Sequence, residues 1–284
     1  MNIETVDIKS ADAPETLIRS LKNTGFAIVT NHGIAPTVLD EFYDVWAEFF
    51  SRSTSDKMKL AAKPETQEGY FPFKSENAKG CSAKDLKEFY HMFYPFMYRN
   101  ETGGERFTRI SCYLGNQLNI LGITLLRYVD QQLPEDVKAK LSGPLSEMAV
   151  GSMNTLLRVL HYPPLGTGDE AGAVRAAAHE DINLITLLPA ATEPGLQVKD
   201  LEGRWHDVIC DSGQIIVNIG DQLQEATDGY LHSTSHRVVN PIGDQNVSRY
   251  SVPLFVHARP NVRLSDRYTA QEYLDERLKE IGLK

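Results

Sequence analysis

The pattern of apolar positions changes character about halfway along the chain. In the first half it has helical spacing. Pro14, Leu17, Ile18 and Leu21 predict a short amphipathic helix ending near Asn23, and Leu39, Phe42, Val45, Trp46 and Phe49 predict a second over Thr37 to Phe50. Between them "GFAIVTNHG" reads as a strand running into a turn. Leu114 to Gln132 and Pro134 to Met153 predict two further helices, the first with Leu118, Leu121, Leu125 and Val129 on one stripe. The stretch from Arg52 to Gly104 keeps no period. It is rich in Lys, Gly and aromatic residues and reads as a long decorated connection.

From about Leu156 the runs become short. "TLLRVLHY", "DINLITLLP", "GLQVKD", "WHDVIC", "QIIVNIG", "SHRVVNP" and "SRYSVPLFVH" are each bounded by Gly, Pro, Asp or Asn, which predicts a sandwich or barrel of antiparallel strands. "TAQEYLDERLKEIG" predicts a closing helix capped by Thr269. The expected fold is mainly β with flanking helices, as one domain over 1–284. Its parts are a mostly helical region with an early strand over 1–155, a β-barrel core over 156–265 and a terminal helix over 266–284. Within the core, "TSHRVVNPIGDQNVSRYSVP" predicts a hairpin turning at Gly243-Asp244. That register sets His236 opposite Ser251 and Val238 opposite Arg249, with His236, Arg249 and Ser251 on one face. Deleting Gly243 is then expected to turn one set away from the other.

Composition narrows the partners more than the fold. Twenty-nine Lys and Arg against 38 Asp and Glu give a net charge of -9 without a long basic run, which disfavours nucleic acid and anionic membranes. The polar, acidic start and the lack of a long apolar run predict a cytoplasmic protein. Cys81, Cys112 and Cys210 are too widely spaced for a disulfide framework or a zinc knuckle.

"AAAHEDINLITLL" holds the first candidate chemistry. His179 and Asp181, two apart, share a face if the strand includes both, and could supply two ligands to a divalent metal. Among eight histidines such a pair also arises by chance, as a solvated strand-end pair. His236, two or three strands later, supplies a third ligand if the barrel brings the strands face to face. Two imidazoles and one carboxylate suit Fe(II) and oxygen activation; zinc takes the same ligands, but the helical His-Glu-x-x-His of many zinc enzymes is absent. Arg249 on the same face lacks a neighbouring acid, so a ligand carboxylate is its candidate partner, with Ser251 as an extra donor. The alternative is an Arg on an outward strand face. Asn218, Gly220 and Asp221 read as turn formers, His32 and His232 as structural or incidental, and Tyr70, Phe71, Phe73, Tyr90 and Phe93 as either a lid or core packing.

These motifs, taken in order, resemble the iron- and 2-oxoglutarate-dependent dioxygenases of the isopenicillin N synthase-like group. "GFAIVTNHGI", "EGYFPF" with "KDLKEFYHM", "LLRVLHYPP", "HEDINLITLL", "VNIGDQLQEATDGYLHSTSHRV" and "RYSVPLFV" follow the family's order and spacing nearly end to end. The resemblance implies a double-stranded β-helix, or jelly roll, and iron ligation by His179, Asp181 and His236. It also implies that Arg249 and Ser251, helped by Tyr162, hold the distal carboxylate of 2-oxoglutarate. Leu160 departs from the Asn of many relatives and removes one polar contact to that co-substrate. The implied reaction uses O2 and 2-oxoglutarate to hydroxylate, desaturate or cyclise a small molecule. An iron oxidase that does without 2-oxoglutarate, and a non-catalytic barrel binding a metal or small carboxylate, are the alternatives.

Overall fold

The structure is a computed structural model and describes residues 1–76, 84–97, 106–166 and 172–280. Its elements begin with β1 (Thr5–Asp7), α1 (Ala13–Thr24), β2 (Phe26–Thr30), α2 (Pro36–Phe50), α3 (Thr54–Met58), β3 (Gly69–Phe71) and β4 (Glu88–Phe93). There follow α4 (Arg106–Gln132), α5 (Glu135–Lys138), α6 (Leu145–Ala149), β5 (Leu156–Tyr162), β6 (Ala176–His179), β7 (Ile185–Pro189), β8 (Leu196–Lys199), β9 (Trp205–Asp207) and β10 (Ile215–Ile219). The chain continues through α7 (Asp221–Ala226), β11 (His236–Val238), β12 (Arg249–Ser251), β13 (Leu254–Val256) and α8 (Ala270–Glu280).

Two sheets result. The larger has the order β1-β2-β10-β7-β13-β5-β4-β3, with β12 also paired to β5; the smaller has the order β6-β11-β8-β9. From β5 onward the chain passes repeatedly between them, the winding of a jelly roll. Helices α1, α2 and α4 bury Leu17, Leu21, Phe42, Trp46, Phe49, Leu114 and Leu118 against the outer face of the larger sheet, where Leu157, Leu187, Val217 and Leu254 meet them. Each such side chain contributes about 2 kcal/mol on removal from water. Two smaller apolar clusters lie between the sheets, one around Phe26, Leu196 and Ile216 and one around Phe89, Leu160 and Val238.

Several boundaries differ from the sequence expectation, each for a local reason. The predicted helix from Pro134 to Met153 is two short ones. Pro144 cannot donate a backbone hydrogen bond, and the Asp130 carboxylate instead accepts from the N–H groups of Leu145 and Ser146, at 2.7 and 3.0 Å, starting a new helix. α4 starts eight residues before the expected Leu114, at Arg106. The supposed connection after Arg52 supplies β3 and β4, which extend the larger sheet: Glu88, Tyr90 and Met92 face the helices while Phe89 and His91 line up with Leu160 and Arg158. Tyr70 and Tyr90 are core residues and Phe73 is exposed. Cys81 lies outside the described residues. Thr269 does cap α8: its Oγ1 accepts from the Glu272 N–H while the Glu272 carboxylate accepts from its own N–H.

The expected hairpin is overturned. β11 pairs with β6 and β8 in the smaller sheet, with His236 opposite His179 and Val198, whereas β12 pairs with β5 in the larger sheet, with Arg249 opposite Tyr162 and Ser251 opposite Leu160. The linking segment is a crossover containing a 3-10 turn at Gly243–Gln245. Asn240 fixes its departure toward β6: the side chain accepts from the Arg175 N–H at 3.0 Å and donates to Ala173 O at 2.8 Å. Among the described residues, no helix is long and apolar enough to cross a membrane.

Candidate functional site

A cavity opens between the two inner apolar clusters, and His179, Asp181, His236, Arg249, Ser251 and Tyr162 all line it. His179 ends β6 and His236 begins β11, so antiparallel pairing sets the two imidazoles side by side, with ring centroids 4.4 Å apart. Asp181 lies just past the end of β6, so the turn that follows the strand, and not the strand's alternation, delivers its carboxylate. His179 Nε2 and His236 Nε2 lie 3.8 and 3.7 Å from Asp181 Oδ1. One ligand atom from each residue falls within 4.8 Å of the others.

Each ligand atom is aimed by a bond on the far side of its group. His179 Nδ1 donates to Ala177 O at 2.8 Å and His236 Nδ1 to Thr234 O at 3.2 Å; carbonyls only accept, so both Nε2 atoms keep a lone pair. Asp181 Oδ2 accepts from Thr186 Oγ1 at 2.5 Å and Asn218 Nδ2 at 2.8 Å, leaving Oδ1 toward the imidazoles. Burial alone would raise the Asp181 pKa, but the two imidazoles and these two donors outweigh it and hold the group below its ordinary value, as a carboxylate. Enclosure, then the neighbouring His236, pushes His179 below the usual imidazole range and favours the neutral, ligating form.

The turn after β10 grips the loop that carries Asp181. N–H groups of Gly220, Asp221 and Gln222 donate to the carbonyls of Leu184, Asp181 and Asn183, at 2.9, 2.7 and 3.0 Å. A Cβ on Gly220 would stand 2.1 Å from Asn183 Oδ1, so only glycine permits this approach. Gly220 and Asp221 therefore keep their turn-forming role, while Asn218 lies on β10 and orients Asp181.

Arg249, 2% exposed, reaches into the other part of the cavity. Its Nε donates to Glu193 O at 2.9 Å, its guanidinium sits 5.2 Å from the Tyr162 ring centre, and its Nη1 has no hydrogen-bond partner among the described residues. Burial lowers its pKa. Arg175 shares this surrounding. It is 1% exposed, with one bond from Nη2 to Val247 O at 2.5 Å, no partner for Nε among the described residues, and a pKa lowered by burial and then by the Arg249 charge. Sequence patterning missed Arg175, and nothing in its local sequence marks it. Leu160 lines the cavity opposite Ser251, where an Asn would have added a donor. His32 is structural, with Nε2 2.8 Å from Gly213 O, and His232 lies outside this cavity.

The donor set suits a divalent metal with open positions, and the buried, partly unpaired guanidinium suits a carboxylate. Residues 3–107 match the model of the non-haem dioxygenase (morphine synthesis) N-terminal family, and residues 153–258 that of the 2OG-Fe(II) oxygenase superfamily. A 2-oxoglutarate-Fe(II) type oxidoreductase of Aspergillus fumigatus is 31% identical over 261 residues, 84% of this chain and 74% of that protein. Among solved structures, a putative oxygenase from Shewanella oneidensis is 47% identical with a TM-score of 0.84, covering 100% of both chains. A putative 2OG-Fe(II) oxygenase family protein from Caulobacter crescentus is 32% identical with a TM-score of 0.79, covering 99% of both.

Proposed function

The chain belongs to the 2OG-Fe(II) oxygenase superfamily, and from that premise we propose that His179, Asp181 and His236 hold Fe(II) while Arg249, Ser251 and Tyr162 receive the distal carboxylate of 2-oxoglutarate. The observation that carries the reading is the convergence of three ligand atoms, each oriented from behind, in a cavity that also holds a buried guanidinium whose Nη1 has no partner among the described residues.

When bound, the iron supplies oxygen activation coupled to oxidative decarboxylation: 2-oxoglutarate, O2 and a substrate C–H give succinate, CO2 and the oxidised substrate. The chain's own residues supply position. Thr186 and Asn218 fix the Asp181 carboxylate, and Ala177 O and Thr234 O fix the imidazole tautomers. Arg249 neutralises the far end of the co-substrate. The substrate is a small molecule, and a cytoplasmic setting belongs to the same reading, with Cys112 and Cys210 in no disulfide among the described residues.

Anaerobic titration of the Fe(II)-loaded protein with 2-oxoglutarate is expected to produce the weak visible band of a keto acid bound to iron, and admitting oxygen to release succinate. His179→Ala is expected to do neither. Iron-independent succinate release, or none from the wild type, would sink the assignment.

A further inference from the structure

We propose that the substrate carries a carboxylate and that Arg158 receives it; this rests on the reading of the cavity given above. On β5 the side chains facing the cavity are Tyr162, Leu160 and Arg158, every second residue. Tyr162 lies opposite Arg249 and Leu160 opposite Ser251, while the Arg158 N–H donates to Pro253 O. Arg158 thus stands four residues, roughly 13 Å of strand, from the level of Arg249. The same wall carries two inward arginines at separate levels, and a co-substrate anchored at Arg249 occupies only one.

The Arg158 head leans toward β4, away from Arg249. Its guanidinium lies 4.7 Å from the Phe89 ring centre and 5.6 Å from that of Phe255, and its Nε donates to His91 Nε2 at 2.8 Å. His91 Nδ1 donates to Gln67 O at 3.1 Å, which leaves Nε2 as the acceptor, and burial followed by the Arg158 charge keeps that imidazole neutral. Phe71 stacks on Phe89, with centroids 4.6 Å apart and planes at 16°. An aromatic surface that carries a guanidinium, with the Lys87 ammonium also lining the cavity 5.9 Å from the Phe89 ring centre, fits an acid with a hydrophobic body.

Glu76 shows that the position accepts a carboxylate. Its oxygens lie 3.2 and 3.5 Å from Arg158 Nη1 and Nη2, but 2.9 Å from Lys87 Nζ, which also holds Asp85 at 2.8 Å. Glu76 engages both Arg158 Nη groups, but at longer distances than its bond to Lys87, so a substrate carboxylate that reaches Arg158 displaces Glu76 from the guanidinium while Lys87 retains it. That carboxylate takes both Nη groups bidentately.

The test uses full-length protein with Fe(II) and 2-oxoglutarate under argon. Calorimetric titration compares phenylacetate, 3-phenylpropionate, trans-cinnamate and octanoate with their primary amides. The acids are expected to bind and the amides to bind at least tenfold more weakly. Arg158→Met is expected to weaken acid binding about 30-fold or more, with 2-oxoglutarate affinity within twofold of wild type. Glu76→Gln, which removes the internal competitor, is expected to tighten the acids several-fold. Amides binding as well as acids, no acid binding at all, or unchanged acid binding in Arg158→Met would each overturn the assignment while 2-oxoglutarate binding persists. Failure of the wild type to bind 2-oxoglutarate would instead strike the function proposed above.

Discussion

The two ends of the cavity are prepared in opposite ways. At the triad, each residue is hydrogen-bonded on its outward atom and bare on its inward one: Asp181 by Thr186 and Asn218, His179 by Ala177, His236 by Thr234. At Arg249 a guanidinium is buried with, among the described residues, one backbone acceptor at Nε and no partner at Nη1, and Arg175 repels it from nearby. One end is a finished negative socket, rigid before anything binds. The other holds a buried cation short of acceptors among the described residues, and in the proposed assignment the anion comes with the co-substrate. Pre-organisation can thus mean satisfying polar groups or withholding their partners, according to the charge awaited.

Breaking the Arg249 end has the largest expected effect. Arg249→Met is expected to weaken 2-oxoglutarate about 100-fold, the loss of a charge-assisted bidentate contact. It also removes a buried, under-satisfied cation, so the melting temperature of the ligand-free protein is expected to hold or rise. A fall in both would show the cation to be structural. Loosening the finished end costs less. Thr186→Val or Asn218→Ala is expected to weaken Fe(II) about 10- to 100-fold at pH 7 by freeing the Asp181 carboxylate, measured by competition with a chelator, with 2-oxoglutarate affinity changed only through the metal. Unaltered iron affinity in both variants would break the contrast. The smallest effect is expected from deleting Gly243, which shortens a crossover whose ends are pinned in different sheets. Turnover is expected to stay within a few-fold of wild type, and its loss would restore a register role for that turn.

What was legible of this cavity in the sequence, and what was not, divides along a physical line. His179, Asp181, His236, Arg249 and Ser251 were legible because their types are costly to bury without a purpose and their order matches a known family. Thr186 and Asn218 were not, because a hydroxyl on β7 and an amide on β10 meet Asp181 only after those strands dock side by side. The hairpin failed for a related reason. Alternation tells which residues share a face but not which strand lies opposite, and here two faces of different sheets look at each other. Arg158 illustrates both sides: its inward direction follows from Tyr162 by counting, whereas its place over Phe89 depends on β4 joining β5.

The crossover that replaced the hairpin makes the sandwich a measuring instrument. It carries His236 into one sheet and Arg249 into the other, so in the proposed assignment a keto acid is gripped by one jaw and its far carboxylate by the opposite jaw. Packed sheets hold a spacing of about 10 Å. On that assignment, the spacing of the two sheets sets which chain length of dicarboxylate bridges the gap, so selection among homologous keto acids follows from the thickness of the fold.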